Sequence, residues 1–170
     1  IEEVGRIHGF DQIPVEEAIE VKVPASGGET DGRQAILTTL AGMGFVECVT
    51  HSLISTDAAE SFLLDGQSPV LIDGERAVAE PALRPSILPS LLTVRKHNAD
   101  NGVKNLRLAE LGSVFALQGK EHDETNELAI VMDADEDEGI GAIRGVVNQI
   151  CSVVSASTEI EVTPEENVHW

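Results

Sequence analysis

The chain has 170 residues, with 30 acidic against 11 basic side chains and a formal net charge of −19. Such a field repels nucleic-acid backbones, because non-specific affinity for them comes mainly from Lys and Arg neutralising phosphates. The charge therefore argues against a surface that grips RNA or DNA by itself. A highly acidic proteome or a plain gain in solubility explains the charge about as well as any specific cationic partner does.

At this length we expect one sizeable domain with a short appended piece, and the scarcity of aromatic residues predicts an aliphatic core. Cys48 and Cys151 lie far apart and lack C-x-x-C spacing. Lone thiols are typical of a reduced, cytoplasmic protein and argue against a disulfide framework or a zinc site. No apolar run approaches the roughly 18–20 residues that cross a bilayer, so no membrane partner is expected.

The first 14 residues predict the end of a helix. Ile1, Val4 and Ile7 lie on one helical face, and Gly9 is a natural stop. The sequence starts without Met, carries no signal-peptide features and ends abruptly, so we expect a piece of a longer polypeptide.

Residues 15–30 predict a connector. Three apolar residues in it alternate like a short strand, ahead of a loop rich in Pro and Gly. The strand residues are Ile19, Val21 and Val23. We therefore interpret residues 1–24 as the tail of a preceding domain with its linker, and residues 25–170 as the main domain.

A helix is predicted over residues 31–45, with Thr30 or Asp31 able to cap its first free N–H groups. A strand over 46–50 follows. The helix has one apolar stripe, which is typical of a face packed against other protein. Its members are Ile36, Leu37, Leu40 and Met43.

The central region predicts a short helix over 55–63, capped by Ser55 or Thr56, and a strand over 70–72. Two prolines can then open a helix over 90–98. Period-two alternation predicts a strand over 106–110, a turn over 111–113 and a second short strand over 114–115.

The last third predicts a polar turn over 119–124 and a buried strand over 128–132. An acidic loop over 133–139 leads to a helix over 140–154. A final strand is predicted over 159–162. The inner face of the helix is predicted to comprise Ile143, Val146, Val147, Ile150, Val153 and Val154.

Three stretches resemble the β subunit of bacterial phenylalanyl-tRNA synthetase. LRPSILPSLL at 83–92, then Asn98 and LRLAELGSVF at 106–115, resemble the family's "LR-S-LLP-LL … N … FE-G-VF". IEEVGRIHGFDQIP at 1–14 resembles "D-L-I-E-E-V-x-R-I-x-G-Y-D-x-I-P", and 44–52 resembles "GF-x-E-x-x-T-x-S". The match over residues 73–82 is poor.

The resemblance implies an α+β fold, an antiparallel sheet of about five or six strands flanked by helices, of the non-catalytic class II aminoacyl-tRNA synthetase type. The implied partner is the catalytic α subunit, in a cytoplasmic (αβ)₂ enzyme that attaches phenylalanine to tRNA(Phe) with ATP. The tRNA would be held by the whole enzyme and not by this acidic part.

The resemblance also implies two sets of site residues. Ile36, Leu37, Leu40 and Met43 would contact the α subunit, since the helix over 31–45 is of the motif 1 type. Glu2 and Glu3 would help to bind Mg²⁺, and only in the full-length complex, because the other ligands lie upstream or on the partner.

Catalysis by this chain alone is not expected. A class II site needs a cation at the ATP α-phosphate, and Ala116 occupies the place that corresponds to the motif 2 Arg. Gly139–Arg144 resembles motif 3 only superficially, because Ile143 replaces its acidic residue. Residues 121–124 are contiguous and are a weak metal pattern. An amino-acid-binding regulatory module and an independent ATP-dependent ligase remain as alternatives.

Overall fold

The computed structural model describes residues 1–14, 18, 21–22, 28–73, 79–135 and 137–154. The helices are α1 (Glu2–His8), α2 (Gly28–Gly42), α3 (Thr56–Glu60), α4 (Leu88–Asp100) and α5 (Gly139–Val154), and a 3₁₀ turn spans Phe10–Gln12. The strands are β1 (Val46–Glu47), β2 (Leu53–Ile54), β3 (Gln67–Ser68), β4 (Val70–Leu71), β5 (Ala82–Leu83), β6 (Arg107–Gln118) and β7 (Glu121–Met132).

A long hairpin forms the centre of the fold. Strands β6 and β7 have 12 residues each and pair antiparallel along their whole length. Gly119, with φ 65°, lies in the two-residue connection between them, where a positive φ favours glycine. The other edge of β6 is shared by β1, which is parallel to it, and by β3, which is antiparallel.

A smaller sheet adjoins the hairpin. Strand β5 lies between β2 and β4, and both pairs are antiparallel. Its apolar residues pack with α3 in a small cluster of Ile54, Ala59 and Ala82. The expected α+β class with mainly antiparallel strands is confirmed, with β1 and β6 as one short parallel pair. The described strands form two sheets, of four and three strands, and not the single sheet of five or six strands that was expected.

Helices cover both faces of the central hairpin. Successive residues of β6 point to opposite faces, so Leu108 and Ala109 belong to different clusters. Ala109 packs with α2 and α5, and Leu108 packs with α4. The largest fully buried side chains are Leu40, Ile87 and Leu91, which come from these covering helices or their first turns.

The prediction of a turn over residues 111–113 is wrong. These residues lie inside β6, and Gly112 pairs with Glu127 across the hairpin. The Arg84 side chain occupies the space beside Gly112, so a Cβ added at Gly112 would lie only 2.6 Å from Arg84 Nη2. This glycine therefore marks a close approach within a strand and not a reversal of the chain.

Other bounds also differ from expectation. The polar residues 121–124 belong to β7, because pairing with the end of β6 satisfies their backbone groups. Helix α2 begins at Gly28, before the expected start, so Thr30 and Asp31 lie inside its first turns. The strand expected over 159–162 lies wholly outside the described residues, and the strand expected over 19–23 lies partly outside them.

Several local predictions are confirmed. Helix α1 ends before Gly9, and the Ser55 side chain accepts the Ala58 N–H at the start of α3. Helix α5 spans almost the expected residues, but its predicted inner face is only partly correct, because Val146 and Ile150 are buried whereas Ile143, Val153 and Val154 are exposed. Over the part of the chain that the structure describes, no helix has the length and hydropathy to traverse a membrane.

The second half of helix α4 is anchored to the residues that flank the open end of the hairpin. The Arg95 guanidinium donates two hydrogen bonds to Asp133 Oδ1, at 3.0 and 2.9 Å. The Leu106 N–H donates to Asp133 Oδ2 at 3.1 Å. The Leu106 hydrogen bond, followed by that of Arg95, lowers the pKa of Asp133 from its ordinary value.

Leu91→Ala should lower the free energy of unfolding by about 2–5 kcal/mol, because it opens a cavity in a fully buried cluster. The adjacent Leu92 is 44% exposed, so Leu92→Ala serves as the matched control and should cost well under half as much. Chemical denaturation of both variants measures the difference. Equal losses would contradict the placement of α4.

Asp133→Asn should destabilise the protein in a pH-dependent way. A carboxyl group whose pKa is lowered by folding contributes stability that is fully present above its unfolded pKa of about 3.9. That contribution disappears as the pH falls through the folded value, so variant and parent should converge in acid. Denaturation curves between neutral and acidic pH test this.

Asp100→Asn is the control for Asp133→Asn. Its ion pair with Lys96 is solvent-exposed and is worth little. A pH-independent loss for Asp133→Asn, or an equal loss for both variants, would contradict the anchoring role of Asp133.

Candidate functional site

The candidate site lies where the smaller sheet meets the central hairpin, and Arg84 is at its centre. The Arg84 N–H donates to Ser52 O, and its carbonyl accepts the Phe115 N–H, both at 2.9 Å. Arg84 directly follows β5, so its backbone joins the chain beside β2 to strand β6. Ser52 and Phe115 are thereby held at a fixed spacing.

The Arg84 side chain forms a buried ion pair. Its Nη1 lies 2.6 Å from Glu110 Oε1, and both side chains are only 4% exposed. Nη1 also donates to Thr50 Oγ1 at 2.9 Å, and Nε donates to Ser113 O at 3.0 Å. Buried charges persist only when they are paired and hydrogen-bonded, and both conditions are met here.

Thr50 completes the pairing of the carboxylate. Its hydroxyl donates to Glu110 Oε2 at 2.7 Å, and its N–H donates to Glu110 Oε1 at 3.2 Å. Each carboxylate oxygen of Glu110 therefore has at least one donor. The network links the segment after β1, the end of β5 and the middle of β6.

The thiol of Cys48 lies close to this network. Burial raises its pKa, and the negative charges of Glu110 and Glu47 add to the effect. A raised pKa keeps the thiol protonated, and thiols react chiefly as thiolates. Cys48 is therefore a poor candidate for a nucleophile.

Ala116 lies further along the same face of β6 as Glu110 and Gly112, and it is buried. This is where the resemblance would require the phosphate-binding cation of motif 2. Arg84 cannot substitute for it in its present position, because its charge is neutralised by Glu110 and its Nε and Nη1 donors are engaged. The geometry is that of a structural joint.

The start of α4 is capped from the hairpin. Glu127 Oε1 accepts the Ser86 hydroxyl at 3.0 Å and the Ile87 N–H at 2.8 Å, and Ser86 Oγ accepts the Leu88 N–H at 3.2 Å. A carboxylate is favourable at a helix N-terminus because it satisfies unpaired N–H groups and the helix dipole. The pair of Ser86 and Glu127 thus serves the helix start.

The four residues expected at the interface are not equivalent. Leu40 is 2% exposed and lies in the cluster with Val146 and Ile150 of α5, and Ile36 and Met43 pack against that cluster. Leu37 is half-buried and lies outside this set. Most of the stripe thus contributes to the internal core, and an interface role for any of the four stays a prediction.

Glu2 and Glu3 lie exposed in the first turn of α1, and Glu3 pairs with Arg6 at 2.8 Å. No group of three or more potential metal ligands occurs among the described residues, which leaves out 15–17, 19–20, 23–27, 74–78, 136 and 155–170. A Mg²⁺ role for Glu2 and Glu3 stays a prediction.

Two weaker patterns belong to regular structure. Gly139–Arg144 forms the first turns of α5, and Arg144 is exposed there. Residues 121–124 are strand residues, so alternate side chains point to opposite faces of β7 and do not converge.

Sequence reasoning missed the Arg84 network. A signal existed in LRLAEL at residues 106–111. Leu106, Leu108 and Glu110 occupy every second position, so Glu110 falls on the same inward face as the two leucines. Such a residue needs a buried cation. The cation lies 26 residues away, and neither it nor Thr50 can be assigned from spacing.

Two solved tRNA synthetase structures share this arrangement of strands and helices. The pyrrolysyl-tRNA synthetase PylSc of Desulfitobacterium hafniense has a TM-score of 0.66 at 21% identity, over 82% of this chain and 49% of that one. An ATP phosphoribosyltransferase regulatory subunit/histidyl-tRNA synthetase from Bacillus halodurans C has a TM-score of 0.61 at 12% identity, over 84% and 39%. The fold is therefore that of the class II aminoacyl-tRNA synthetases.

The particular family follows from the sequence. The model of the "phenylalanyl tRNA synthetase beta chain CLM domain" matches residues 18–170. The phenylalanine–tRNA ligase β subunit of Salinibacter ruber is 37% identical over 123 residues, which are 68% of this chain. That of Staphylococcus saprophyticus is 28% identical over 185 residues, with 99% of this chain covered. The chain belongs to the family of phenylalanyl-tRNA synthetase β-chain CLM domains.

The chain spans a minor part of these relatives. The matched region is 15% of the Salinibacter ruber subunit and 23% of the Staphylococcus saprophyticus subunit. The described site thus corresponds to one region of a much longer β chain.

Arg84→Met should destabilise the protein by about 3–5 kcal/mol, because it leaves the buried Glu110 carboxylate without its cation. The double variant Arg84→Met/Glu110→Leu should be markedly more stable than the sum of the two single changes predicts, since both charges are then gone. Unfolding free energies of the three variants give the coupling energy.

Lys96→Met is the control for the buried pair. Its ion pair with Asp100 is exposed, so the change should cost about 0.5 kcal/mol or less. Additive effects of the Arg84 and Glu110 changes would contradict the role of this ion pair in holding the smaller sheet to strand β6.

Proposed function

We propose that this chain is a non-catalytic assembly domain of the phenylalanyl-tRNA synthetase β subunit. In this proposal it supports the catalytic α subunit in a cytoplasmic (αβ)₂ enzyme that attaches phenylalanine to tRNA(Phe) with ATP. The observation that carries the proposal is the buried Ala116, on a strand face whose nearest buried cation is neutralised by Glu110. A class II scaffold so arranged retains its shape without the charge that adenylate formation needs.

The acidic composition supports the same division of labour. A formal charge of −19 opposes direct binding of the phosphate backbone, so tRNA would be held by other parts of the whole enzyme. Glu2 and Glu3 would contribute to a Mg²⁺ site only when the remaining ligands of the full-length complex are present. Carboxylate oxygens suit this hard cation.

Helix α2 is the proposed contact with the α subunit. Leu40 is unsuitable as a test of that contact, because its burial means that any polar replacement would disturb the fold. Leu37 is half-buried and lies outside the core clusters, so it is the better probe.

Leu37→Asp in the full-length β chain should weaken assembly with the α subunit by about 10-fold, because a buried unpaired carboxylate is costly in an apolar contact. Sedimentation or a binding assay with purified α subunit measures this. Leu92→Asp is the control, since Leu92 is exposed on α4 at the opposite face of the hairpin. An unchanged affinity for Leu37→Asp would reject the contact through α2.

Two alternatives predict different results for the same preparation. ATP–pyrophosphate exchange by this chain alone would establish an independent ligase, and the buried Ala116 predicts none. The likeness to a protein named as an ATP phosphoribosyltransferase regulatory subunit favours, as a second candidate, a module that binds an amino acid without activating it. Calorimetric titration with free amino acids would distinguish that module from an assembly domain.

A further inference from the structure

The C-terminal end of helix α4 closes in a Schellman motif. The Gly102 N–H donates to Ala99 O at 2.9 Å, and the Val103 N–H donates to Asn98 O at 3.0 Å. Such an end needs a residue with positive φ directly after the C-cap, and Gly102 supplies it with φ 83°. The C-cap residue is Asn101. The way this helix ends therefore places a glycine next to an asparagine.

The resulting dipeptide is chemically reactive. Asn101–Gly102 is the only Asn-Gly pair in the chain. An asparagine amide reacts with the backbone nitrogen of the next residue most readily when that residue is glycine, because no side chain hinders the approach. Both residues are exposed, and a Cβ added at Gly102 meets nothing within 4 Å. Water and base therefore reach this pair without obstruction.

The closed turn holds the pair in an unreactive arrangement. The Asn101 Nδ2 donates to His97 O at 2.8 Å, and the Gly102 N–H is engaged by Ala99 O. With ψ 12° at Asn101, the Gly102 nitrogen is turned away from the Asn101 side chain, whereas closure of a five-membered ring needs it beside Cγ. Reaction thus requires the last turn to open. Helix ends open far more often than a whole domain unfolds.

We propose that Asn101 is a site of spontaneous deamidation whose rate is set by local opening of the last turn of α4. In the open turn the Gly102 nitrogen loses its proton and attacks Asn101 Cγ, which forms a C–N bond. The bond from Cγ to Nδ2 breaks, and the side-chain nitrogen leaves as ammonia with that proton. Water then opens the cyclic imide at one of its two carbonyls, which gives aspartate or isoaspartate.

The product fits the closed turn less well than asparagine does. A carboxylate cannot donate to the His97 carbonyl, and a negative charge is unfavourable at the C-terminal end of a helix dipole. Isoaspartate also adds a methylene to the backbone between α4 and β6. Deamidation therefore loosens the end of α4 and adds a negative charge to a chain that already carries −19. This inference does not depend on the assembly function proposed above.

The test incubates the intact protein at mildly alkaline pH and measures aspartate and isoaspartate at Asn101 by chromatography and peptide mass spectrometry. The same protein unfolded in denaturant is the reference. Conversion in the native protein should be measurable and at least about 10-fold slower than in the unfolded chain, because only the open fraction reacts. Native conversion at the unfolded rate, or none while the unfolded chain converts, would overturn the proposal.

Ala99→Gly tests the role of the turn. It should raise the native rate about fivefold and leave the rate of the unfolded chain unchanged, because glycine favours opening of a helical turn. Ala142→Gly, in the first turns of α5, is the matched control and should change neither rate. An unchanged native rate for Ala99→Gly would contradict control by the turn.

Leu40→Ala distinguishes local from global opening. Leu40 is buried on the face of the hairpin opposite to α4, so this change destabilises the whole protein without touching the reactive turn. The native rate should stay close to that of the parent. Acceleration equal to that of Ala99→Gly, or greater, would mean that the unfolded protein is the reactive state, and the proposal would be overturned.

Discussion

The buried ion pair of Arg84 and Glu110 is the constraint on which the arrangement of the two sheets depends. Removing two charges from water is costly, and their attraction offsets that cost only when geometry and additional hydrogen bonds are favourable. Here Thr50 and Ser113 supply those bonds, and Gly112 supplies the space. A shift of either sheet would break several of these contacts at once.

The same contacts determine which chemistry this face of β6 can support. An active site for adenylate transfer requires a cation that is directed at a ligand and is held ready for it. In this chain the buried cation is directed at Glu110, and Ala116, further along the same strand face, offers only a methyl group. The pairing therefore uses the charge for cohesion between strands, which agrees with an assembly domain and is difficult to reconcile with an independent ligase.

Local signals predicted the helices better than the strand joints. Helix α5 and the Ser55 cap depend on periodicity and on hydrogen bonds within a few residues, which are readable along the chain. Gly112 was misinterpreted because glycine is common both in turns and at close approaches, and only the distant Arg84 decides between them.

The apolar stripe of α2 shows a second limit of sequence reasoning. An apolar face predicts burial, but it does not say whether the covering surface belongs to the same chain or to a partner. The packing of Leu40 against Val146 and Ile150 depends on α5, which lies about 100 residues later in the sequence. Likewise, the polar residues 121–124 favour a turn locally, and only pairing with β6 places them in a strand.

The distribution of charge bears on the origin of the acidic composition. If the −19 charge served solubility alone, exposed positions on α5 would be expected to carry carboxylates as other exposed positions do. Four of the exposed positions on α5 carry apolar side chains instead, Ile140, Ile143, Val153 and Val154, and an exposed apolar patch is unfavourable for solubility. Among the described helices α1 to α5, only α5 lacks an acidic residue, so the acidic composition is not spread evenly over the helices.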